Sequence, residues 1–172
     1  MRPKRDNARI MIILGVDPGT IQLGYGVVAT KGDTLAALAY GIVKCRGELP
    51  ERLCHLYDEL VKIITQHQPS VLAIETPFVS ENARSALAIG KAQAVAILAA
   101  AQRGIPVYEY PPAVVKRHVA DYGASSKEQV QTMVKLLLEM AEPPEPLDAA
   151  DALAIAICHT REAKLKAIKA EA

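Results

Sequence analysis

Ile12-Ile13-Leu14-Gly15-Val16-Asp17-Pro18-Gly19-Thr20 decides how this chain folds. A short apolar run ends in one acid, and Pro-Gly then turns the chain. A continuous apolar run of roughly four to eight residues bounded by turn signals reads as a buried strand. An unpaired carboxylate is costly to desolvate, so Asp17 needs a partner: water at the strand end, a basic side chain or a metal. Asp before Pro-Gly is also ordinary turn chemistry, and this stretch alone leaves both readings open. The same device recurs at Val71-Leu72-Ala73-Ile74-Glu75, where Pro77 follows shortly after the acid.

Working outward, residues 24–29 read as a second strand, Lys31-Gly32-Asp33 as a hairpin turn and residues 34–44 as a third strand. Residues 49–68 carry Leu53, Leu56, Tyr57, Leu60, Ile63 and Ile64 at helical spacing, and Pro69 stops them. A long helix over 80–103 is closed by Gly104, and 106–110 is a fifth strand. Helices over 114–121 and from Ser125 or Ser126 to about 140 follow. A proline-rich loop over 141–146 then leads into a last helix over 148–166.

The order βββ-α-β-α-β-α-α-α predicts an α/β domain, a five-stranded mixed sheet flanked by helices on both faces. In such sheets functional residues gather at the carboxyl ends of parallel strands, where Asp17 and Glu75 both sit. If the first and fourth strands are neighbours, the two acids are about 4.8 Å apart at the backbone. Carboxylates that close must take up a proton or share a cation.

Composition sets the frame. The 172 residues fit one domain, with residues 1–10 as a flexible N-terminal arm, 11–163 as the folded domain and 164–172 as a basic tail. Hydrophobic residues make up 51%, which is enough for a core and argues against disorder. The net charge of +1 means that any basic surface must be local. Cys45, Cys54 and Cys158 are odd in number and lack metal spacing, so they read as reduced thiols of a cytoplasmic protein. No apolar run reaches membrane-spanning length free of charge or glycine.

Asp148 and Asp151 stand three apart at the start of an Ala-rich helix, on one face. An Asp at the cap with another at N3, after Leu147, also reads as a capping box with a hydrophobic staple. The two roles are compatible. Four acids from two strand ends and one helix start form an oxygen-rich site suited to Mg2+ or Mn2+, and no His or Cys spacing points to zinc.

Taken together the motifs resemble the RuvC Holliday-junction resolvases. The matching residues are Gly15-Val16-Asp17-Pro18-Gly19-Thr20 with Gly24-Tyr25-Gly26, Ala73-Ile74-Glu75 with Phe78 and Asn82, Val115-Lys116, Lys127 to Gln131, and Asp148-Ala149-Ala150-Asp151 with the apolar run after it. The resemblance covers about residues 11 to 160. It implies a ribonuclease-H-like fold, a homodimer, and Mg2+-dependent nicking of two like-polarity strands at a four-way DNA junction in recombination and repair. It also implies partnership with a branch-migration helicase complex. Asp17, Glu75, Asp148 and Asp151 are then the catalytic and metal-binding acids. Two ions about 3.5–4 Å apart would serve phosphodiester hydrolysis, with Asp17 between them and Mn2+ able to substitute. Lys116, Arg117 and Lys127 are expected on the DNA, with Arg84 standing in for a basic residue common near position 81. Phe78, the one Phe of the chain, is expected to stack on a base or wedge between base steps.

Two other readings share parts of the pattern: an actin-like ATPase domain, whose phosphate loop also reads Asp-x-Gly-Thr, and a related nuclease acting on structured RNA. Residues 86–101 are apolar nearly all round. A surface helix needs only one apolar stripe, so the second apolar face is covered either by other helices of the domain or by a second subunit; packing of this helix on its own copy, through a face that includes Ala92 and Val95, is the expectation.

Overall fold

The structure, a computed structural model, describes residues 10–77, 82–120 and 125–171. Its elements follow the expected order: β1 (Met11–Asp17), β2 (Gln22–Lys31), β3 (Thr34–Lys44), α1 (Leu49–His67), β4 (Val71–Glu75), α2 (Ala83–Ala101), β5 (Val107–Tyr110), α3 (Pro112–Ala120), α4 (Lys127–Leu137) and α5 (Leu147–Glu171). They form a five-stranded sheet of order β3-β2-β1-β4-β5. β1 is antiparallel to β2 and parallel to β4, and β4 is parallel to β5.

Position in the sheet follows from composition. Central β1 buries Ile13, Leu14 and Val16 completely, as a strand covered on both faces must. Edge strand β3 alternates between exposed and half-buried residues over most of its length. The β2–β3 hairpin turns at Gly32, whose φ of 61° suits glycine. Helix α1 opens on a capping box between Glu48 and Glu51 and ends at Gln68 in the left-handed region, just before Pro69.

Each sheet face carries its own core. On one face α3, α4 and α5 pack over Ile13, Val28, Val71 and Ala73. On the other, α1 and α2 pack over Leu14, Val16, Val27, Leu72 and Ile74. Helix α5 lies close against β1 and β2 because glycines face it. A Cβ added at Gly15 would come to 2.0 Å from the Ala152 carbonyl oxygen, and one at Gly24 to 2.0 Å from that of Asp148. Small residues on both surfaces therefore bring the start of α5 down to the end of β1.

Two expectations change. The helix of α5 continues to Glu171, beyond residue 166, with Lys164 2.6 Å from Asp33 across the β2–β3 turn. And Ala92 does not lie on the outer face of α2: it is fully buried against the sheet, and Val95 packs at the edge of the same core. The outward side instead carries Leu87, Lys91, Ala94 and Leu98.

Candidate active site

Three elements deliver the acids. Val16 of β1 lies opposite Ile74 of β4 in parallel register, so Asp17 and Glu75 end adjacent strands at the next step. The first turn of α5 then brings in Asp148 and Asp151. One carboxylate oxygen from each of Asp17, Asp148 and Asp151 lies within 4.8 Å of the others. Glu75 stands outside that trio but shares a cleft of about 170 Å³ with Asp17, Asp151, Lys116 and Lys127.

The cleft holds more negative charge than it can easily keep. Burial, then Glu75, Asp151 and Asp148 in that order, push the Asp17 carboxyl up to about 8. Burial and Asp151 push Glu75 up to about 7. Lys127 acts against both shifts, and Lys116 against that of Glu75. Burial pulls Lys127 down, but its hydrogen bond to Asp151 and the charges of Asp151, Asp17 and Asp148 outweigh this and leave it raised. Its Nζ lies 3.0 Å from Asp151 Oδ2. A cluster of oxygen donors in which Asp17 and Glu75 resist ionisation, with Lys116 and Lys127 beside them, fits a hard divalent cation.

The capping reading of Asp148 and Asp151 does not hold. The helix begins one residue earlier, at Leu147, and the carbonyl of Pro146 accepts from the amides of Ala149 and Ala150. The two acids are thereby free to use their side chains elsewhere. Asp151 pairs with Lys127, and Asp148 Oδ2 accepts a hydrogen bond from Gln22 Nε2 at the start of β2.

Of the residues expected on DNA, Lys116 and Lys127 line the cleft. Arg117 is exposed on α3 and does not line it, and its charge is felt instead at Cys158 of α5. Arg84 is exposed in the first turn of α2. Phe78 lies outside the described residues. His118 is engaged by Glu162 at 2.5 Å, in keeping with a structural role. Gln22 carried no sequence signal: its partner lies 126 residues away, and a Gln at a strand start is unremarkable on pattern alone.

The family model for crossover junction endodeoxyribonuclease RuvC matches residues 13–159. The chain belongs to the RuvC family. It is 52% identical over 151 residues to the crossover junction endodeoxyribonuclease RuvC of Dehalococcoides mccartyi, covering 87% of this chain and 90% of that one. It is 49% identical over 162 residues to the protein of that name from Pelotomaculum thermopropionicum, covering 91% and 99%. Among solved structures, Thermus thermophilus RuvC in complex with Holliday junction substrate superposes with a TM-score of 0.85 at 34% identity, over 91% of this chain and 96% of that one. The sheet and its helices are thus the ribonuclease-H-like fold of RuvC resolvases. Membership of the RuvC family assigns the chain to the crossover junction endodeoxyribonucleases, which are hydrolases, and does not favour the ATPase or RNA-directed readings.

Proposed function

We propose that the chain resolves four-way DNA junctions by paired, symmetric nicks made at the cleft between β1, β4 and α5. Asp17, Glu75, Asp148 and Asp151 are its catalytic acids and hold two Mg2+ ions, which Mn2+ can replace. The observation that carries this is the acid cluster itself: half-buried carboxyls at two parallel strand ends, raised toward neutrality, with two lysines at their rim. Bound there, divalent ions supply charge relief at the scissile phosphate and a more acidic water.

The side chains set the rest. Asp17 lies between Glu75 and the Asp148–Asp151 pair in the charge balance and is the central ligand. Lys116 and Lys127 meet the phosphate backbone, where most of the affinity for DNA arises. Arg117 and Arg84 extend that contact outside the cleft. Phe78, three residues after Glu75, acts on base stacking near the scissile bond, so Phe78→Ala slows nicking more than it weakens binding.

A junction presents its two cut sites in near two-fold relation, and a symmetric dimer presents two clefts in the same relation. Helix α2 supplies the contact. Leu87 and Leu98 are 67% and 50% exposed on its outer side, and an apolar groove lined by Pro77, Ala86, Leu87, Gly90 and Ala94 runs beside them. The enzyme acts in the cytoplasm, together with a branch-migration helicase.

The test is cleavage of a synthetic mobile four-way junction in Mg2+, with linear duplex and structured RNA as competitors. Two symmetric nicks on the junction are expected. Equal or faster cleavage of the RNA would overturn the reading.

A further inference from the structure

The acids of the cleft are not held alike. Asp151 is held by a charge, through Lys127 at 3.0 Å. Asp148 is held by a neutral amide, with Gln22 Nε2 donating to its Oδ2. Gln22 is itself fixed. It opens β2, where its backbone pairs with Lys44 of β3, and two residues on, Gly24 pairs with Asp17 of β1. At Gly24 the strand and helix are in direct contact: a Cβ there would lie 2.0 Å from the Asp148 carbonyl oxygen and 3.2 Å from its Cβ. The Gln22 side chain is thus anchored beside the root of Asp148 by the sheet register that also sets Asp17.

An amide donor orients a carboxylate without cancelling its charge. It engages one oxygen, leaves the net charge of the group unchanged and leaves the second oxygen for a cation. Lysine at the same place would orient the group but oppose a cation. Partners of this kind, one step removed from the ion, set the orientation of ligands and tune affinity.

We infer that Gln22 is the positioning residue of the site, holding Asp148 in the orientation in which its second carboxylate oxygen faces the divalent ion shared with Asp17. This rests on the acid cluster being the metal site. Gln22 acts through Asp148, the acid that its side chain holds.

The test is Mn2+ binding to the whole protein without DNA, measured by calorimetry. The variants are Gln22→Met, which keeps the length and apolar stem and loses the donor, Asp148→Asn, and the two combined. Gln22→Met should raise the Mn2+ dissociation constant by roughly 10-fold. In the Asp148→Asn background the same change should alter it by less than about 2-fold, because a residue acting through Asp148 has nothing left to orient. Should Met leave the chain unfolded, Gln22→Leu removes the donor with less bulk and enters the same cycle. Wild-type affinity in Gln22→Met, or an equal loss in both backgrounds, overturns the inference, the second outcome marking a packing role. Asp148→Asn keeps the two readings apart: if it binds Mn2+ like wild type, the metal site itself is misplaced. If it binds weakly while Gln22→Met does not, only the role of Gln22 falls.

Discussion

Helices α2 and α5 are both long, both rich in alanine and both without a clean polar face over most of their length. Their surroundings differ. Residues 152–160 of α5 are buried on every side, between the sheet and helices α3 and α4. Helix α2 buries only Ala86, Ala92, Gln93, Ala96, Ala99 and Ala100, and leaves Leu87 and Leu98 in the open. By length and composition α2 would even pass for a membrane span, yet one face is seated on the α/β core. An apolar helix on a sheet has two uses: it can be central and place chemistry, or peripheral and offer a surface to a second molecule. Helix α5 has the first use, and the proposed dimer gives α2 the second. The packing of α5 fixes two acids at the end of β1, whereas α2 keeps an apolar side to spare.

The contrast is broken most severely at Gly15. A side chain there meets the α5 backbone, which cannot swing aside as a flexible side chain can. Gly15→Val should cost about 3 kcal/mol, lower the melting point by roughly 10 °C and abolish nicking by moving Asp148 and Asp151. A melting point unchanged in that variant would mean that α5 is not pressed onto β1.

A second effect belongs to the α5 side alone, because its start is where the charge collects. The Asp17 carboxyl titrates near 3.8 in the ordinary case and near 8 in the fold, and Glu75 near 4.5 and near 7. Between those values the unfolded chain is ionised while the folded one holds its protons, so the fold loses stability as pH rises from about 4 to about 8. An amide in place of the Asp17 carboxyl cannot titrate. Without divalent ions, Asp17→Asn and wild type should melt together near pH 4, and the variant should melt about a few degrees higher at pH 9. Thermal melts in a chelator across that range check this, and a constant gap would contradict it. Substitutions on the outer face of α2 should show no such pH dependence.

On the α2 side the expected loss is of assembly rather than of fold. Leu98→Glu, on the exposed face, should change chain stability by no more than about 1 kcal/mol. It should sediment as a monomer and nick single strands without the paired cuts. Wild-type protein that is monomeric at micromolar concentration yet resolves junctions would defeat the role given to α2. The smallest effect is at Gly90, where an added Cβ meets nothing within 4 Å. In the Leu98→Glu monomer, Gly90→Ala should stabilise by about 0.5–1 kcal/mol, read from denaturant midpoints.

What was legible in the sequence follows from the same physics. A buried strand cannot end in an acid without a reason, so Asp17 and Glu75 stand out, and the turn chemistry of Lys31-Gly32-Asp33 marks where residues 34–44 begin. Helix starts were less legible. α3 begins at Pro112 rather than 114, because proline suits a first turn, and α5 begins at Leu147, with the Pro146 carbonyl accepting its first backbone hydrogen bonds. The phase of α2 is not legible: when nearly every position is apolar, periodicity does not say which side faces the sheet, and Ala92, expected on the outer face, lies inside. Nor could any local pattern join Gln22 to Asp148, since only the completed sheet and the glycine at 24 bring them together.

The central claim is that the acids at the ends of β1 and β4 and the start of α5 carry out the chemistry, while affinity for the junction comes from elsewhere. Asp17→Asn tests it in one experiment on a labelled four-way junction, with binding read by gel shift in chelator and nicking read in Mg2+. The account predicts binding within roughly 3-fold of wild type, since phosphate contacts carry the affinity, and nicking reduced by at least about 1,000-fold, since the central ligand of the metal site is gone. Nicking within a few-fold of wild type would contradict it.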